Sequence, residues 1–512
     1  MTQRLTKSRF VAGYQCPKLL WWRVNQPEAK ELEPDIILRD LFDQGILVDE
    51  RARAEFGGGV LIDAGDDVGD GAGAAGAMTR DARDAARVAA TTAAIASGAK
   101  VIFGATFDAD GVFCIVDVLE RNDDGWTLIE VKSASEAKEY HLPDVAVQVH
   151  VARRAGVNVT RAEVMHLNRE YRHPGQGPLF ARTDVSQEIT GVLAEVPERI
   201  PRQLAVLEGP LPEFPVGGHC WFHHECAFFK RCWPNDPDHI SNLWNVGPKK
   251  TLEWMAKGVS RMSEIPAGTK LNEKQQRQMK AQRTREMIVE PGLAAAIQPA
   301  ADAKRLGFLD FETIMRAIPV WDALGPWHQT AAQFSYHERQ ADGSVSHVDF
   351  LAEGPDNPDD TPDDPREPIA RKMLEATANA DRIVVYSSFE ATRIKELAAR
   401  LPHLAEPLLA LKDKLWDLQP VVANNVYHPG FQGSFSLKYI LNPLVPDLSY
   451  NDLVIVDGKT ASVEIARLLF VSGRIPKHER DQTRRDLLAY CERDTYATVR
   501  LVDELLKLAA IG

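Results

Sequence analysis

Long apolar runs, a basic charge excess and abundant cysteine are all missing from this sequence of 512 residues. No stretch of about eighteen apolar residues occurs, so a membrane-spanning helix is not expected. The N-terminal MTQRLTKSRF has no apolar signal-peptide core, so we expect a cytoplasmic protein. Six cysteines in so long a chain do not suggest a disulfide framework. The length favours roughly two to four domains.

The net charge of −13 counts against a strongly basic nucleic-acid binder. Enzymes that collect carboxylates around metal ions are compatible with this charge, because the ions change the local sign. One segment differs, since residues 249–286 contain ten Lys or Arg and four Glu, a local balance of +6. This segment is either a solvated helical face or a surface that contacts phosphates, and the composition leaves both interpretations open.

Two α/β patterns are present, and a charged helical stretch separates them. The first contains the strand-like runs VIFGATF, VFCIVDVLE and WTLIEVKS, with a hairpin turn predicted at Asp124–Gly125. The second begins with the strand RLGFLDFETI and closes with a long helix. We therefore predict an α/β protein in three parts: a first domain at 1–235, a helical basic linker at 236–300 and a second domain at 301–512.

The second pattern carries a set of acidic residues. Asp310 and Glu312 flank Phe311 in an apolar strand, and period-two alternation puts both carboxylates on one face. Two such carboxylates are costly without a cation, so oxygen ligands for Mg²⁺ or Mn²⁺ are the natural interpretation. On the final helix, Tyr490 lies one turn before Asp494, which puts their side chains on the same face.

The order and spacing of these residues resemble the DEDD family of 3′→5′ exonucleases, which have an RNase H-like fold. In this resemblance, Glu390 of YSSFE is the second acid, at the start of a helix. The resemblance implies a two-metal site in which Tyr490 orients the attacking water. The metal ligands that it implies are Asp310, Glu312, Glu390 and Asp494.

The second acid departs from that family, where it is usually Asp in an Asn-x-x-Phe-Asp context. Here Glu390 follows Ser387 and Ser388. Either the longer Glu side chain substitutes for Asp, or another acid is the ligand. Asp417 of LWDLQP is the alternative.

The first pattern carries a second acidic set. Asp117 lies on one strand of the predicted hairpin, and Glu130 and Lys132 lie on the other with their side chains on one face. An acid pair that holds a metal beside an ammonium group is the working set of PD-(D/E)XK nucleases. In that set the Lys favours the ionised form of the attacking water or neutralises developing charge.

The following helix resembles that of RecB-type nucleases through Gln148 of DVAVQVH. That subfamily has Tyr four residues later, where this sequence has Ala152. Glu50 is the expected helical acid that completes the site, with Glu55 as the second choice.

The cysteines resemble those of RecB-type nucleases of the AddB and CRISPR-associated kinds, which hold a [4Fe-4S] cluster. Cys16 is the early ligand, and Cys220, Cys226 and Cys232 are the late ones. Their C-x5-C-x5-C spacing departs from the usual pattern with a C-x2-C. Zinc remains an alternative, with His219, His223 or His224 nearby. Cys114 and Cys491 are predicted to be core thiols.

The chain as a whole resembles a bacterial family, described as a domain of unknown function, that joins a RecB-type PD-(D/E)XK domain to a DEDD-type domain. The first hypothesis is a dual-site nuclease that acts on DNA in repair, recombination or defence, with RNA left open as substrate. The second keeps only the C-terminal exonuclease active, with the iron–sulfur module binding DNA. The third is a non-catalytic scaffold that binds nucleic acid.

Overall fold

A computed structural model of the protein describes residues 4–62, 79–222, 225–357 and 359–511. It is a mixed α/β structure, and the α/β prediction is confirmed. The chain divides into two compact units. Unit 1 comprises Met1–Trp233 and Arg316–His328, and unit 2 comprises Pro234–Met315 and Gln329–Gly512.

Unit 1 is built on a sheet with strand order β2-β3-β4-β5-β6-β7, in which the short β1 runs parallel to β4. Strands β3, β4 and β5 form an antiparallel meander, β6 runs parallel to β5, and β7 closes the edge. Its strands are β1 (Leu5–Thr6), β2 (Val60–Leu61), β3 (Val101–Ala109), β4 (Val112–Arg121), β5 (Trp126–Lys132), β6 (Val159–Leu167) and β7 (Phe180–Asp184). Its helices are α1 (Lys7–Gln15), α2 (Pro17–Asn25), α3 (Ile36–Ala54), α4 (Arg80–Ala96), α5 (Leu142–Arg154), α6 (Thr190–Glu208) and α7 (Phe229–Cys232).

Helix α5 is the central helix of unit 1. Its sequence LPDVAVQVHVARR is apolar on nearly every side, and most of its side chains are buried. It packs on the meander and on β6, so the polar groups that it carries into the core need partners there. Asp144 and Gln148 are two such groups.

Unit 2 is built on a sheet with strand order β11-β10-β9-β12-β13. Strands β9, β10 and β11 are antiparallel, while β12 and β13 run parallel to β9. Its strands are β8 (Ile288–Val289), β9 (Leu306–Ile314), β10 (Thr330–Arg339), β11 (Val345–Leu351), β12 (Arg382–Val385), β13 (Leu415–Asp417) and β14 (Val426–Tyr427). Its helices are α8 (Pro248–Ala256), α9 (Glu273–Thr284), α10 (Leu293–Asp302), α11 (Arg366–Ala376), α12 (Phe389–Arg400), α13 (Ala405–Asp413), α14 (Gln419–Asn425), α15 (Leu437–Leu444), α16 (Gly458–Phe470) and α17 (Lys477–Ile511).

Strand β9 is buried on both faces, which explains why it reads as a nearly continuous apolar run. Two separate apolar clusters cover the sheet of unit 2. One includes Phe308 and residues of α17, and the other includes Phe311 and residues of α11 and α12. The acids of β9 are therefore the exceptions in a strand otherwise built for core packing.

The predicted linker 236–300 belongs to unit 2. Its helices α9 and α10 contribute Ala281, Leu293 and Ile297 to the same apolar cluster as Phe308 of β9. Residues 316–328, predicted to continue the second domain, belong to unit 1. The two units therefore differ from the three predicted parts at residues 236–300 and at residues 316–328. Each of these segments packs its apolar side chains into the core of the unit to which it belongs.

Among the described residues, no helix is long and apolar enough to span a bilayer.

Candidate active sites

Three acidic residues of unit 2 converge. Asp310 and Glu312 project from one face of β9, and Asp494 comes from α17, which covers that face. One carboxylate oxygen from each lies within 4.8 Å of the other two. The structure therefore brings these sequence-predicted residues within the reach of one ion or of two adjacent ions.

Burial makes this acidic set electrostatically unfavourable without cations. Burial, and then the charge of Asp494, raises the pKa of Asp310 and of Glu312 well above the usual range. Burial also raises the pKa of Asp494 to about 6. Carboxyl groups so placed hold protons near neutral pH unless positive charge replaces them.

Glu390, the predicted fourth acid, is not part of the group of three whose oxygens lie within 4.8 Å of one another. It lies in the first turn of α12, is 3% exposed, and one of its carboxylate oxygens has no hydrogen-bond partner. Burial raises its pKa to about 7, and its charge in turn raises the pKa of Asp310 and of Glu312. Asp417 ends β13, accepts a hydrogen bond from the Gln419 amide at 2.9 Å and acts on Glu390 instead.

Two tyrosines donate hydrogen bonds to Asp494. One is the predicted Tyr490, buried one turn earlier on α17, and the other is Tyr450. Burial and then the charge of Asp494 raise the pKa of both phenols. Sequence reasoning missed Tyr450, since it comes from a loop in SYNDL with no regular spacing to the acids.

Helix α16 begins beside Glu312. Asp457 caps the helix by accepting hydrogen bonds from the amides of Lys459 and Thr460. A Cβ at Gly458 would lie 3.3 Å from a Glu312 carboxylate oxygen, so the backbone here approaches the acid closely. No sequence signal marked this contact.

In unit 1, the predicted residues of β4, β5 and α5 come together. The Asp117 carboxylate accepts a hydrogen bond from the Val131 amide at 2.8 Å. Lys132 Nζ lies 2.6 Å from Glu130 Oε1, and Gln148 Nε2 donates to Glu130 Oε2 at 2.7 Å. Glu130 is nearly inaccessible to solvent, so these contacts are its main compensation for burial.

Two further residues complete this site, and sequence reasoning missed both. Lys7, at the start of α1, places Nζ 2.9 Å from Glu130 Oε1. Asp144, in the first turn of α5, lies 2.7 Å from Lys132 Nζ. The available signals were weak: Asp144 precedes Gln148 by one helical turn, and Lys7 follows the strand β1 that pairs with β4.

The two acids of this site have opposite electrostatics. Burial opposes ionisation of Glu130, yet Lys132 and Lys7 hold its pKa well below the usual range. Burial, and then the charge of Glu130, raises the pKa of Asp117 to about 7. Lys7 and Lys132 also lower the pKa of Asp117, but by less than burial and Glu130 raise it.

The acids of α3 differ in their exposure. Glu50 and Glu55 are both exposed, whereas Asp49 is half-buried. Burial raises the pKa of Asp49, and the charges of Glu130 and Lys7 also act on it. Asp49 and Glu50 differ in this way because a one-residue step turns the side chain by about 100° around the helix axis. Ala152, where the RecB subfamily has Tyr, is buried in the core.

The four predicted cysteines line one small cavity in unit 1. Aromatic side chains, including Trp22 and Phe228, surround it, and His219 lies at its edge. Cys16 stands at the N-terminus of α2, where the amides of Lys18 and Leu19 point to its sulfur. All four thiols are free: Cys16, Cys220, Cys226 and Cys232.

The four thiols lie near one another, since Cys16, Cys220 and Cys232 all act electrostatically on Cys226. Burial raises the pKa of Cys226 to about 11, so a bound metal would have to stabilise its thiolate. His219 Nε2 is 3.6 Å from Cys220 Sγ, while His223 and His224 lie outside the described residues.

Two other predictions concern the remaining thiols and the basic segment. Cys114 and Cys491 are buried as expected, and Cys491 Sγ also lies 3.8 Å from an Asp310 carboxylate oxygen.

Within 249–286 most of the basic side chains are exposed. Arg277 is buried instead and pairs with Glu290 at 2.9 Å.

One family model matches residues 307–436 of the chain, and its description is a domain of unknown function (DUF2779). The match includes Asp310, Glu312 and Glu390 but ends before Tyr490 and Asp494. A search of curated proteins finds no match to the chain. The matched range covers part of unit 2 together with segment 316–328 of unit 1, and the description of the family attaches no activity to it.

Proposed function

We propose that the protein is a metal-dependent nuclease whose principal active site is the acidic set of unit 2. The convergence of buried carboxylates carries this proposal, together with the unpartnered oxygen of Glu390. A buried acid that lacks a hydrogen-bond partner is costly, and a divalent cation removes that cost. The sheet order β11-β10-β9-β12-β13 supports an RNase H-like fold of the DEDD exonuclease type.

The residues have distinct roles in this proposal. Asp310, Glu312, Glu390 and Asp494 hold Mg²⁺ or Mn²⁺, which supplies an activated water and charge stabilisation at the scissile phosphate. Tyr450 donates to Asp494 and fixes the orientation of that ligand. Tyr490 also contacts Asp494, which places its hydroxyl at the edge of the site where it can orient a water.

A second nuclease site of the PD-(D/E)XK type belongs to the same proposal. The meander β3-β4-β5, followed by α5 and the parallel strand β6, has the order expected for that fold. Asp117 and Glu130 are the metal ligands, and Lys132 lies where an attacking water needs an ammonium group. Lys7 and Asp144 extend the set.

One observation favours the alternative in which only the site of unit 2 is active. Lys7 and Lys132 both contact Glu130, so protein cations occupy the place that a metal would need. Among the described residues, the main influences on the pKa of Asp310 and of Glu312 are burial and then the charges of other acids. In this alternative, unit 1 binds DNA without cleaving it. A third possibility is a non-catalytic scaffold.

We further propose that the four cysteines hold a [4Fe-4S] cluster. All four thiols line one cavity, and four thiolates are the ligand set of a cubane cluster. One zinc ion held by the same thiols, or with His219, is the alternative. The cluster would link α2 to the segment after α6, around the nuclease core of unit 1.

Nucleic acid is the proposed partner, with DNA preferred over RNA. The exposed Lys and Arg of 249–286 provide a surface for phosphates in a chain that is acidic overall. Helices α8 and α9 carry four of these eight exposed side chains, and both helices belong to unit 2 with the acidic set.

Nuclease assays on end-labelled single- and double-stranded DNA and RNA with Mn²⁺ test these proposals. We expect Asp310→Asn to lower the rate about 100-fold or more, since metal-bound charge stabilisation is worth several kcal/mol. Lys132→Ala tests the second site separately, and Glu375→Gln, on an exposed face of α11, is the matched control. Label released from the 3′ end first would support the exonuclease polarity.

The outcomes separate the three hypotheses. Loss of rate in both variants supports two sites, while loss only in Asp310→Asn supports the single-site alternative. Binding of DNA by a wild-type protein that never cleaves it supports the scaffold. Undiminished cleavage in both variants would exclude both catalytic hypotheses.

The cluster has a separate test. Anaerobically purified protein should be brown with broad visible absorption, and Cys226→Ser should lose that colour together with bound iron. Cys114→Ser, which changes a buried thiol outside the quartet, should retain it. A colourless wild-type protein that contains zinc would overturn the assignment.

A further inference from the structure

A second group of potential ligands lies in unit 2 beside the acidic set. His337 of β10, His347 of β11 and Glu492 of α17 each offer one atom within 4.8 Å of the others. His337 and His347 are directly paired across the two strands, and their ring centroids are 4.5 Å apart. Neither the sequence pattern nor the nuclease proposal uses these residues.

Hydroxyl groups hold the outer nitrogens of both rings. His337 Nδ1 lies 2.8 Å from Thr495 Oγ1, and His347 Nε2 lies 2.9 Å from Ser335 Oγ. The two hydroxyl oxygens are themselves 2.7 Å apart. Both hydroxyls are buried, so protein groups determine how their protons are shared.

One arrangement of protons satisfies every group in this chain of hydrogen bonds. In it, Thr495 Oγ1 donates to the Glu492 carbonyl at 3.1 Å and accepts from His337 and Ser335, while Ser335 accepts from His347. In this arrangement each imidazole carries its proton on the outer nitrogen.

The inner nitrogens, His337 Nε2 and His347 Nδ1, thus keep free lone pairs. This is the arrangement of metal-binding histidines, whose second nitrogen donates to a fixed acceptor. Burial also lowers the pKa of His337 to about 4, which keeps that ring neutral at physiological pH.

The third ligand stands at a suitable distance. Glu492 Oε1 is 4.0 Å from His347 Nδ1, which is too long for a hydrogen bond. Two metal bonds of about 2.0–2.2 Å at a tetrahedral angle bring nitrogen and oxygen to roughly 3.4 Å, so a small movement of the exposed Glu492 side chain completes this spacing. The gap between these atoms therefore has room for one ion.

The geometry points to a divalent transition-metal site formed by His337, His347 and Glu492. Two imidazoles and one carboxylate favour Zn²⁺ over Mg²⁺, which prefers oxygen ligands alone. A groove of about 940 Å³ lined by all three residues leaves a coordination position open to solvent. A bound ion would join β10, β11 and α17 at one point.

Metal titration of the full-length protein tests this site. Chelator-treated protein is titrated with Zn²⁺ against a competing indicator, in excess Mg²⁺ to occupy the acidic set. We expect His347→Gln and Glu492→Gln each to abolish one high-affinity Zn²⁺ equivalent. Thr495→Val should weaken the same equivalent by about 10- to 100-fold, because it removes the acceptor that orients His337.

A control and a spectroscopic probe separate this site from the thiols. His403→Gln removes an exposed histidine that also lies beside a glutamate, and it should leave Zn²⁺ binding unchanged. With Co²⁺ in place of Zn²⁺, the variants should lose visible ligand-field absorption and retain the thiolate charge-transfer band. Glu492 is exposed, so Glu492→Gln keeps the test valid if a histidine variant fails to fold.

Equal Zn²⁺ stoichiometry and affinity in wild type, His347→Gln and Glu492→Gln would overturn the proposal. Because the readout is metal binding, it does not depend on nuclease activity.

Discussion

A buried carboxylate of unit 2 has opposite effects on the stability of the metal-free protein and on metal binding. Glu390 has a pKa raised to about 7, mainly by burial, and an oxygen with no hydrogen-bond partner. A carboxyl whose pKa is raised in the folded state binds more protons folded than unfolded. Its contribution to stability is therefore complete below the unfolded pKa of about 4.5 and is lost as pH rises through about 7.

We predict that Glu390→Gln stabilises the metal-free protein at pH above 7. The gain should be about 2–3 kcal/mol, because one pKa unit corresponds to about 1.4 kcal/mol. It should vanish toward pH 4, where the carboxyl is protonated in both states. Unfolding by denaturant in a chelator, repeated across this pH range, measures the difference.

Mn²⁺ reverses the order of stability in this experiment. The wild type should gain stability with Mn²⁺, while Glu390→Gln gains less. Glu406, in the first turn of α13, is an exposed acid at the equivalent helical position, and Glu406→Gln serves as the control. A wild type that is more stable than Glu390→Gln without metal at pH 8 would contradict the prediction.

Local pattern was sufficient for some site residues and insufficient for others. Asp310 and Glu312 alternate on one strand, and Tyr490 precedes Asp494 by one turn, so local periodicity put each pair on one face. Tyr450, Lys7 and Asp144 reach their sites through tertiary packing of elements far apart in sequence. No local spacing encodes such contacts.

In helix α3, too, the local sequence pattern does not show which side chains are buried. Its apolar residues Leu41, Phe42 and Ile46 are exposed. The buried face is Gln44, Val48 and Ala52. Gln44 is needed there because its side-chain oxygen accepts a hydrogen bond from the Ala317 amide at 2.6 Å.

Within unit 2, the helical segment 236–300 lies very close to the backbone at Gly433. Gly433 has φ +75°, and its amide donates to the Tyr427 hydroxyl at 3.0 Å. A Cβ at this position would overlap the Asn242 carbonyl oxygen, which also accepts from Gln278 of α9 at 2.7 Å. The contact between residues 236–300 and the region after β14 is therefore so close that one added methyl group would not fit.

We predict that Gly433→Ala destabilises the protein by about 2–5 kcal/mol. Left-handed backbone costs about 1–2 kcal/mol for a residue with a Cβ, and overpacking adds about 1–3 kcal/mol. Gly343→Ala is the matched control, since its φ is +84° and nothing lies near the added Cβ. Equal losses in the two variants, measured by denaturant unfolding, would show that the close contact is unimportant.

For the whole molecule, the segment 316–328 is a structural part of unit 1. Arg316 pairs with Asp40 at 2.8 Å, and Trp327 Nε1 donates to the Ser133 carbonyl at 2.6 Å. Ser133 directly follows Lys132 at the end of β5. The sequence suggested a continuous second domain, because no local pattern reveals which core a loop will join.

We predict that Trp327→Ala loosens the C-terminal end of β5. The loss of the hydrogen bond and of ring packing against the core should cost about 2–4 kcal/mol. Faster hydrogen exchange at the amides of β5 and β6 is the measurement. Trp254→Ala, in α8 of unit 2, should leave those amides unchanged. Unaltered exchange in Trp327→Ala would mean that the segment contributes little to unit 1.

The passage of the chain through residues 316–328 also limits how such a protein can change over evolution. Neither unit corresponds to one uninterrupted stretch of gene, since the chain crosses between them three times. Any single cut of the chain therefore divides at least one of the two units. We expect that truncation at one point cannot place the acids of β9 and the lysine of β5 on two fragments that both fold intact.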